Sequence, residues 1–254
     1  MSSPALDRAA WASPWRHRSV LDKSLLCGGL LLVTISLPPW PTAVAVAVIG
    51  LVAAVWLARV RIGLFVRAVV APVGFIAVGA LSVAIGLGGT PAGALWHWGP
   101  LSLTETGLLR AGTVAARGFA GMVALVLLAV TTPMVDLIDA LRRLRIPEPL
   151  LEITALTYRL LFVLAQVAGS VHRAQTARLG HDGYARSLRS AGLLASVLLV
   201  HSWNRARRLE DGLAGRGHEG SLQTLSPQKL CSWRFRAITL AVLAGLVVLG
   251  VVSR

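Results

Sequence analysis

The chain has 254 residues; 55% are hydrophobic, 14% are charged, and 25 Lys and Arg stand against 11 Asp and Glu. A mean hydropathy of +0.69 excludes an ordinary water-soluble domain and places the chain among integral membrane proteins. The net charge of +14 fits positive-inside topology and attraction to anionic membrane lipid. No nucleic-acid partner is expected, because no recognition fold or aromatic-interleaved basic patch accompanies that charge.

The N-terminal segment carries Arg8, Arg16, Arg18 and Lys23. It has no short apolar stretch ending in a small-residue cleavage site, so no removable signal peptide is expected. Apolar segments follow at 24–37 and 41–57, joined by the uncharged Pro38, Pro39 and Trp40. A third runs over 63–87, with Arg67 near its start where a long side chain can snorkel. Residues 88–106 are rich in Gly, Pro and Trp and hold Glu105 but no Lys or Arg. Trp96 and Trp98 there suit an outer aromatic belt. A fourth segment covers 107–130, with Arg110 and Arg117, and the last covers 237–252. These runs are continuous rather than alternating, which argues for helices and against barrel strands.

Between the fourth and fifth segments, residues 132–236 hold fifteen Lys and Arg. The alternation of charge puts the N-terminus and this stretch inside and the C-terminus outside. The expected fold is an all-α integral membrane protein with about five transmembrane helices and a cytoplasmic helical insert before the last. The expected divisions are residues 1–131, 132–236 and 237–254. Segments 150–171 and 190–203 resemble further spans, but the first contains Glu152, Arg159 and Gln166, and Arg186 and Arg189 flank the second. A charge at a helix centre costs about 2.5–3.5 kcal/mol on the insertion scale. Both segments are therefore expected as amphipathic helices on or under the membrane.

Catalytic signatures are missing. The six histidines show no i, i+3 or i, i+4 pairing that would build a metal site on one helix face, and His97 lacks a nearby carboxylate or Cys. No Gly-rich loop precedes a Lys-Ser or Lys-Thr pair, and no serine sits in a strained elbow. Neither a cofactor nor a bound metal is expected, and the chain is not expected to be an enzyme. Cys27 and Cys231 suggest no disulfide framework.

Two helical stretches of the insert end alike, in Ala177, Arg178, Leu179 and Gly180, and in Gly215, Arg216 and Gly217. A cation in a last helical turn is favoured by about 0.3–1 kcal/mol and glycine is the usual stop, so each arginine has a plain capping reading. A planar guanidinium also suits a carboxylate-lined groove on a partner. Asp136, Asp139, Arg142 and Arg143 have the spacing of helix-surface pairs. Arg159, in a mostly apolar helix, is expected to find a carboxylate, either Glu152 or one on a neighbouring subunit. Pro133, Pro147 and Pro149 mark helix boundaries and candidate joints.

Thr131, Thr132 and Pro133, with Asp136 and Leu137, the run from Ala140 to Pro147, Tyr158 and Arg159, and the two arginine endings together resemble the transmembrane coupling subunits of energy-coupling-factor transporters. The cobalt-transport family CbiQ is the nearest branch. The opening, with Leu6, Asp7 and Arg8, then Arg16 to Arg18, then Asp22 and Lys23, is similar too. The resemblance implies two cytosolic ATPase subunits and a substrate-binding membrane subunit as partners. It implies that Ala177, Arg178 and Leu179, and Gly215, Arg216 and Gly217, stand where short Ala-Arg-Gly motifs dock on the ATPases. The first departs by its leucine and the second by its leading glycine. Thr131, Thr132, Pro133, Pro147 and Arg159 would serve as the coupling hinge. Ala116, Arg117 and Gly118 match the motif literally but lie inside the fourth span. The function expected is that of a non-catalytic subunit of a cobalt importer in the cell membrane. Nickel or a vitamin is the alternative cargo, and a membrane-embedded enzyme acting on lipid-linked substrates the alternative class. The latter would need clustered acidic or histidine residues at a membrane face.

Overall fold

The computed structural model describes residues 10–87, 94–98, 101–217 and 232–253. After a short 3-10 turn at Pro14–His17 come α1 (Val20–Ser36), α2 (Pro39–Val52, continued by a π turn over Ala53–Leu57) and α3 (Ile62–Ala84). Strands β1 (Ile85–Leu87), β2 (Ala94–Trp98) and β3 (Leu101–Thr104) follow, then α4 (Glu105–Thr131), α5 (Met134–Arg143), α6 (Glu148–Ala177), α7 (Tyr184–Ala214) and α8 (Trp233–Val252).

The helical membrane class is as expected, with one local addition. The three strands form an antiparallel sheet in the order β1-β3-β2, Ile85 facing Leu103 and His97 facing Ser102. Leu101, Ser102, Leu103 and Thr104 alternate with the period of a strand, a signal that the loop reading passed over. The third apolar run consequently ends as helix at Ala84, because Ile85–Leu87 leave it for the sheet. The belt role of Trp96 and Trp98 concerns side chains outside the described ones.

Five described helices are long and apolar enough to cross a membrane: Trp40–Leu57, Ile62–Ala84, Glu105–Thr131, Glu148–Ala177 and Trp233–Val252. The set differs from the expected one at two places. Helix α1 has 17 residues and so is about 26 Å long, at the short limit for a span. Helix α6 runs unbroken for 30 residues, and its stretch 153–172 carries one formal charge, Arg159. By length and composition α6 is long and apolar enough to cross a membrane, the property for which 150–171 resembles a further span.

The chain forms two compact units, one of Pro4–Leu137 with Pro227–Arg254, the other containing Ile138–Ser226. In the first unit α1, α2, α4 and α8 share a core around Leu30, Val46, Val123, Leu127 and Leu246. Glycine lets α2 and α4 approach closely: a Cβ at Gly50 would stand 2.6 Å from Val123 Cγ1. Small residues at such crossings replace the hydrophobic drive that is missing between helices in lipid. Helix α3 packs on α4 and presents Val70, Phe75, Val78 and Leu81 outward.

At one end of this unit lie the starts of α1 and α8, the end of α4 and the connection from α2 to α3. Lys23 reaches Thr131, Asp22 reaches Arg236, and Ser13 Oγ donates to the Ala58 carbonyl at 3.3 Å. Trp15 meets Phe235 edge-on at 5.4 Å, with the Arg18 guanidinium 4.6 Å from the Phe235 ring. Leu37, closing α1, packs by Gly250 near the end of α8. The described cations Arg16, Arg18, Lys23, Arg59, Arg61, Arg234 and Arg236 therefore belong to segments gathered at the first end.

Candidate functional site

Helix α4 ends at a built joint. Thr131 Oγ1 donates back to the Leu127 carbonyl at 2.7 Å, and the Thr132 N–H to Leu128 at 3.0 Å. Thr132 then turns extended (φ −124°, ψ 110°), as a residue before proline must, and the buried Pro133 begins a new turn by accepting from the Asp136 and Leu137 N–H groups. The joint is gripped from outside its own helix: Lys23, 0% exposed, donates from Nζ to the Thr131 carbonyl at 2.8 Å. Asp22, 1% exposed, accepts from Arg236 Nε at 2.5 Å and from the Ser232 N–H at 3.3 Å.

In the second unit, Pro147 is the N-cap of α6 and Pro149 lies in its first turn, where a missing N–H costs nothing. Arg142 pairs with Glu148 at 2.9 Å across the α5–α6 turn. Arg159 is exposed on α6 among the described residues.

The end of α6 is a Schellman motif. The Gly180 N–H donates to the Gln175 carbonyl at 2.8 Å and the Leu179 N–H to Thr176 at 3.1 Å. The left-handed position falls on Leu179, φ 54°, one residue ahead of the glycine. Gly180 is needed for a different reason: a Cβ there would stand 2.8 Å from Ser190 Oγ and 2.9 Å from the Gln175 carbonyl oxygen. Three bonds close a ring that fixes the α6–α7 hairpin. Gly180 donates to Gln175, Gln175 Nε2 donates to the Ser190 carbonyl at 2.8 Å, and Ser190 Oγ donates to the Gly180 carbonyl at 2.8 Å. The turn also brings the His172 and His181 rings within 4.6 Å, tilted by 46°, which their sequence spacing did not suggest, and pairs Asp182 with Arg186 at 3.0 Å.

Helix α7 shares part of this closure. The Arg216 N–H donates to Leu213 and the Gly217 N–H to Ala214, and Gly217 is left-handed at φ 62°. Ala177, Arg178, Leu179, Gly215, Arg216 and Gly217 are all exposed. Each arginine thus projects just ahead of a left-handed residue at the end of a long helix. Between them in the chain lies α7, 31 residues long and so about 46 Å from end to end at 1.5 Å per residue.

Arg117, set aside in sequence as a mid-span match, has a role in the first unit: its Nη2 donates to the Leu37 carbonyl at 3.1 Å, closing α1. Lys23 and Asp22 were quoted only as part of an N-terminal pattern. The signal that could have marked them is two opposite charges entering an apolar run, where burial requires partners.

Residues 12–226 match the family described as cobalt transport protein, CbiQ, a range that includes Lys23, the Thr131–Pro133 joint and both arginine ends. The chain belongs to this family. A cobalt transport protein CbiQ of Rhodobacter capsulatus is 37% identical over 251 residues, covering 99% of each chain. A putative fused cobalt transport protein CbiMQ of Methanocorpusculum labreanum is 29% identical over 85% of this chain and 37% of its own length. An energy-coupling factor transporter transmembrane protein EcfT of Lacticaseibacillus paracasei is 28% identical over 65% of this chain and 66% of its own. This CbiQ-family chain is accordingly a multi-pass membrane component of a transporter, and cobalt transport of the energy-coupling-factor type is the function its relatives support.

Proposed function

We propose that the chain is the non-catalytic coupling subunit of an ATP-driven cobalt importer, carrying motion from two cytosolic ATPase subunits to a substrate-binding membrane subunit. The observation that carries this reading is the pair of exposed arginine ends, alike in their left-handed closing residue and set before and after the 31 residues of α7. Two like contacts at two helix ends fit two like partners. Each guanidinium offers a planar fork to a carboxylate, and the helix behind it is a stiff lever. The fused relative, named as one cobalt transport chain, supports a further membrane part working beside this one.

In this reading residues 1–131 and 237–254 form the membrane region and residues 132–236 the cytoplasmic coupling helices, Arg178 and Arg216 being the docking cations. Closure of the ATPase pair on ATP displaces the two helix ends. The Pro147 turn and the Thr131–Pro133 joint absorb the bend, and the membrane helices reorient the substrate subunit. Segments rich in Lys and Arg meet at one end of the first unit, which supports that end as the cytoplasmic one.

The experiment is affinity purification of the chain from native membranes with identification of what accompanies it. ATPase polypeptides and one further membrane protein are expected. A chain purified in a transport-competent membrane without any ATPase would refute the coupling role.

A further inference from the structure

The chain leaves the first unit after Leu137 and returns to it at Pro227. Six residues before the last one of that stretch, at Thr131, the end of α4 is held by Lys23; beyond the return, the start of α8 is held by Asp22. These two residues are neighbours in sequence, their Cα atoms about 3.8 Å apart. We propose that Asp22 and Lys23 act as one positioning pair that fixes both connections to the coupling helices against α1, so that force on either is transmitted to the membrane helices and not lost in slack at the crossings. The proposal rests on the coupling role above and names the residues that make it stiff.

The chemistry suits this task. Thr131 is the last residue of α4, where carbonyls lack helical donors and the macrodipole favours a cation. Asp22 sits in the first turn of α1, where a carboxylate is favoured. It takes the N–H of Ser232, the N-cap of α8, whose hydroxyl accepts from Phe235. It also takes Arg236 from the first turn of α8, a cation that the dipole there disfavours and the carboxylate offsets. Burying Lys and Asp side chains in an apolar unit is costly, and apolar side chains of similar volume would fill the space at less cost. What apolar groups cannot supply is direction: Lys23 fixes the Thr131 carbonyl and Asp22 the Ser232 N–H, each at one distance.

The test uses the whole complex, co-expressed and reconstituted in vesicles, with Co²⁺ as the transported probe. Lys23→Met, Lys23→Arg and Asp22→Asn are compared with the parent for ATPase co-purification, ATP hydrolysis and Co²⁺ uptake. Loss of one charge-assisted bond is expected to lower Co²⁺ moved per ATP about tenfold in Lys23→Met, with assembly and hydrolysis kept near parental and with partial recovery in Lys23→Arg. A parental ratio in a correctly inserted Lys23→Met overturns the proposal. So does a parallel fall of assembly, hydrolysis and uptake, which is what a merely structural role predicts. If Lys23→Met does not accumulate, Asp22→Asn decides: it keeps an acceptor for Ser232 but loses the ion pair, and an unchanged ratio there overturns the proposal. A parent complex that neither holds ATPases nor takes up Co²⁺ would instead remove the coupling role itself, before any variant is compared.

Discussion

Leu179 and Gly217 share a left-handed backbone, φ 54° and φ 62°, each directly after an exposed arginine. Glycine adopts this conformation freely, whereas a side chain there costs about 1–2 kcal/mol. Leu179 is 68% exposed, so little packing compensates the strain. Leu179→Gly is expected to stabilise the α6–α7 hairpin by about 1 kcal/mol, and Gly217→Ala to cost a similar amount. Thermal unfolding of the purified chain in detergent checks both signs; a lower midpoint for Leu179→Gly would contradict the Schellman geometry.

Gly180 answers to space rather than to backbone angle. A Cβ at that position meets Ser190 Oγ and the Gln175 carbonyl under 3 Å, and both atoms belong to the hydrogen-bonded ring. Gly180→Ala is expected to cost about 1–3 kcal/mol by overpacking and to open the turn. Faster amide exchange at residues 175–190, with exchange in α4 unchanged, is the expected readout.

Arg178 and Arg216 separate docking from capping. A charge-assisted contact to a partner carboxylate is worth roughly 1.5–3 kcal/mol, so Arg178→Ala with Arg216→Ala is expected to lose ATPase co-purification and ATP-driven uptake. Each single change weakens them less. Lysine keeps the charge but loses the fork and is expected to fall between. If the inserted double variant assembles and transports like the parent, the two arginines only close their helices.

Cysteine labelling tests the topology. In a background without Cys27 and Cys231, Tyr184→Cys, at an 86% exposed position, is expected to resist an impermeant thiol reagent on intact cells. Gly93→Cys, in the segment free of Lys and Arg, is expected to react. The opposite pattern would invert the orientation read from charge.

Much of this was legible in the chain. Hydropathy runs and their lengths set the helical membrane class, because a bilayer requires about 20 apolar residues per crossing and internal satisfaction of every backbone group. The charge contrast between residues 88–106 and 132–236 set the expected orientation, and the prolines set the helix boundaries at Pro133 and Pro147. The paired arginine endings were visible as residue types next to glycine. Their geometry was not. Which residue turns left-handed depends on the bonds from Leu179 and Gly180 back to Thr176 and Gln175, and on the room that Ser190 leaves at Gly180.

Length and periodicity also could not decide between α1 and α6 as spans, since a run of apolar residues with one arginine satisfies both readings. The sheet of Ile85–Thr104 was hidden because strand alternation over four residues is a weak signal beside long apolar helices. Local sequence determined what is helical, where it breaks and which ends carry charge. Tertiary structure alone decided that Lys23 meets Thr131 across 108 positions and that Asp22 meets Arg236 across 214. Buried charges must find partners wherever the packing of other helices brings them, and no pattern local to α1 encodes that address.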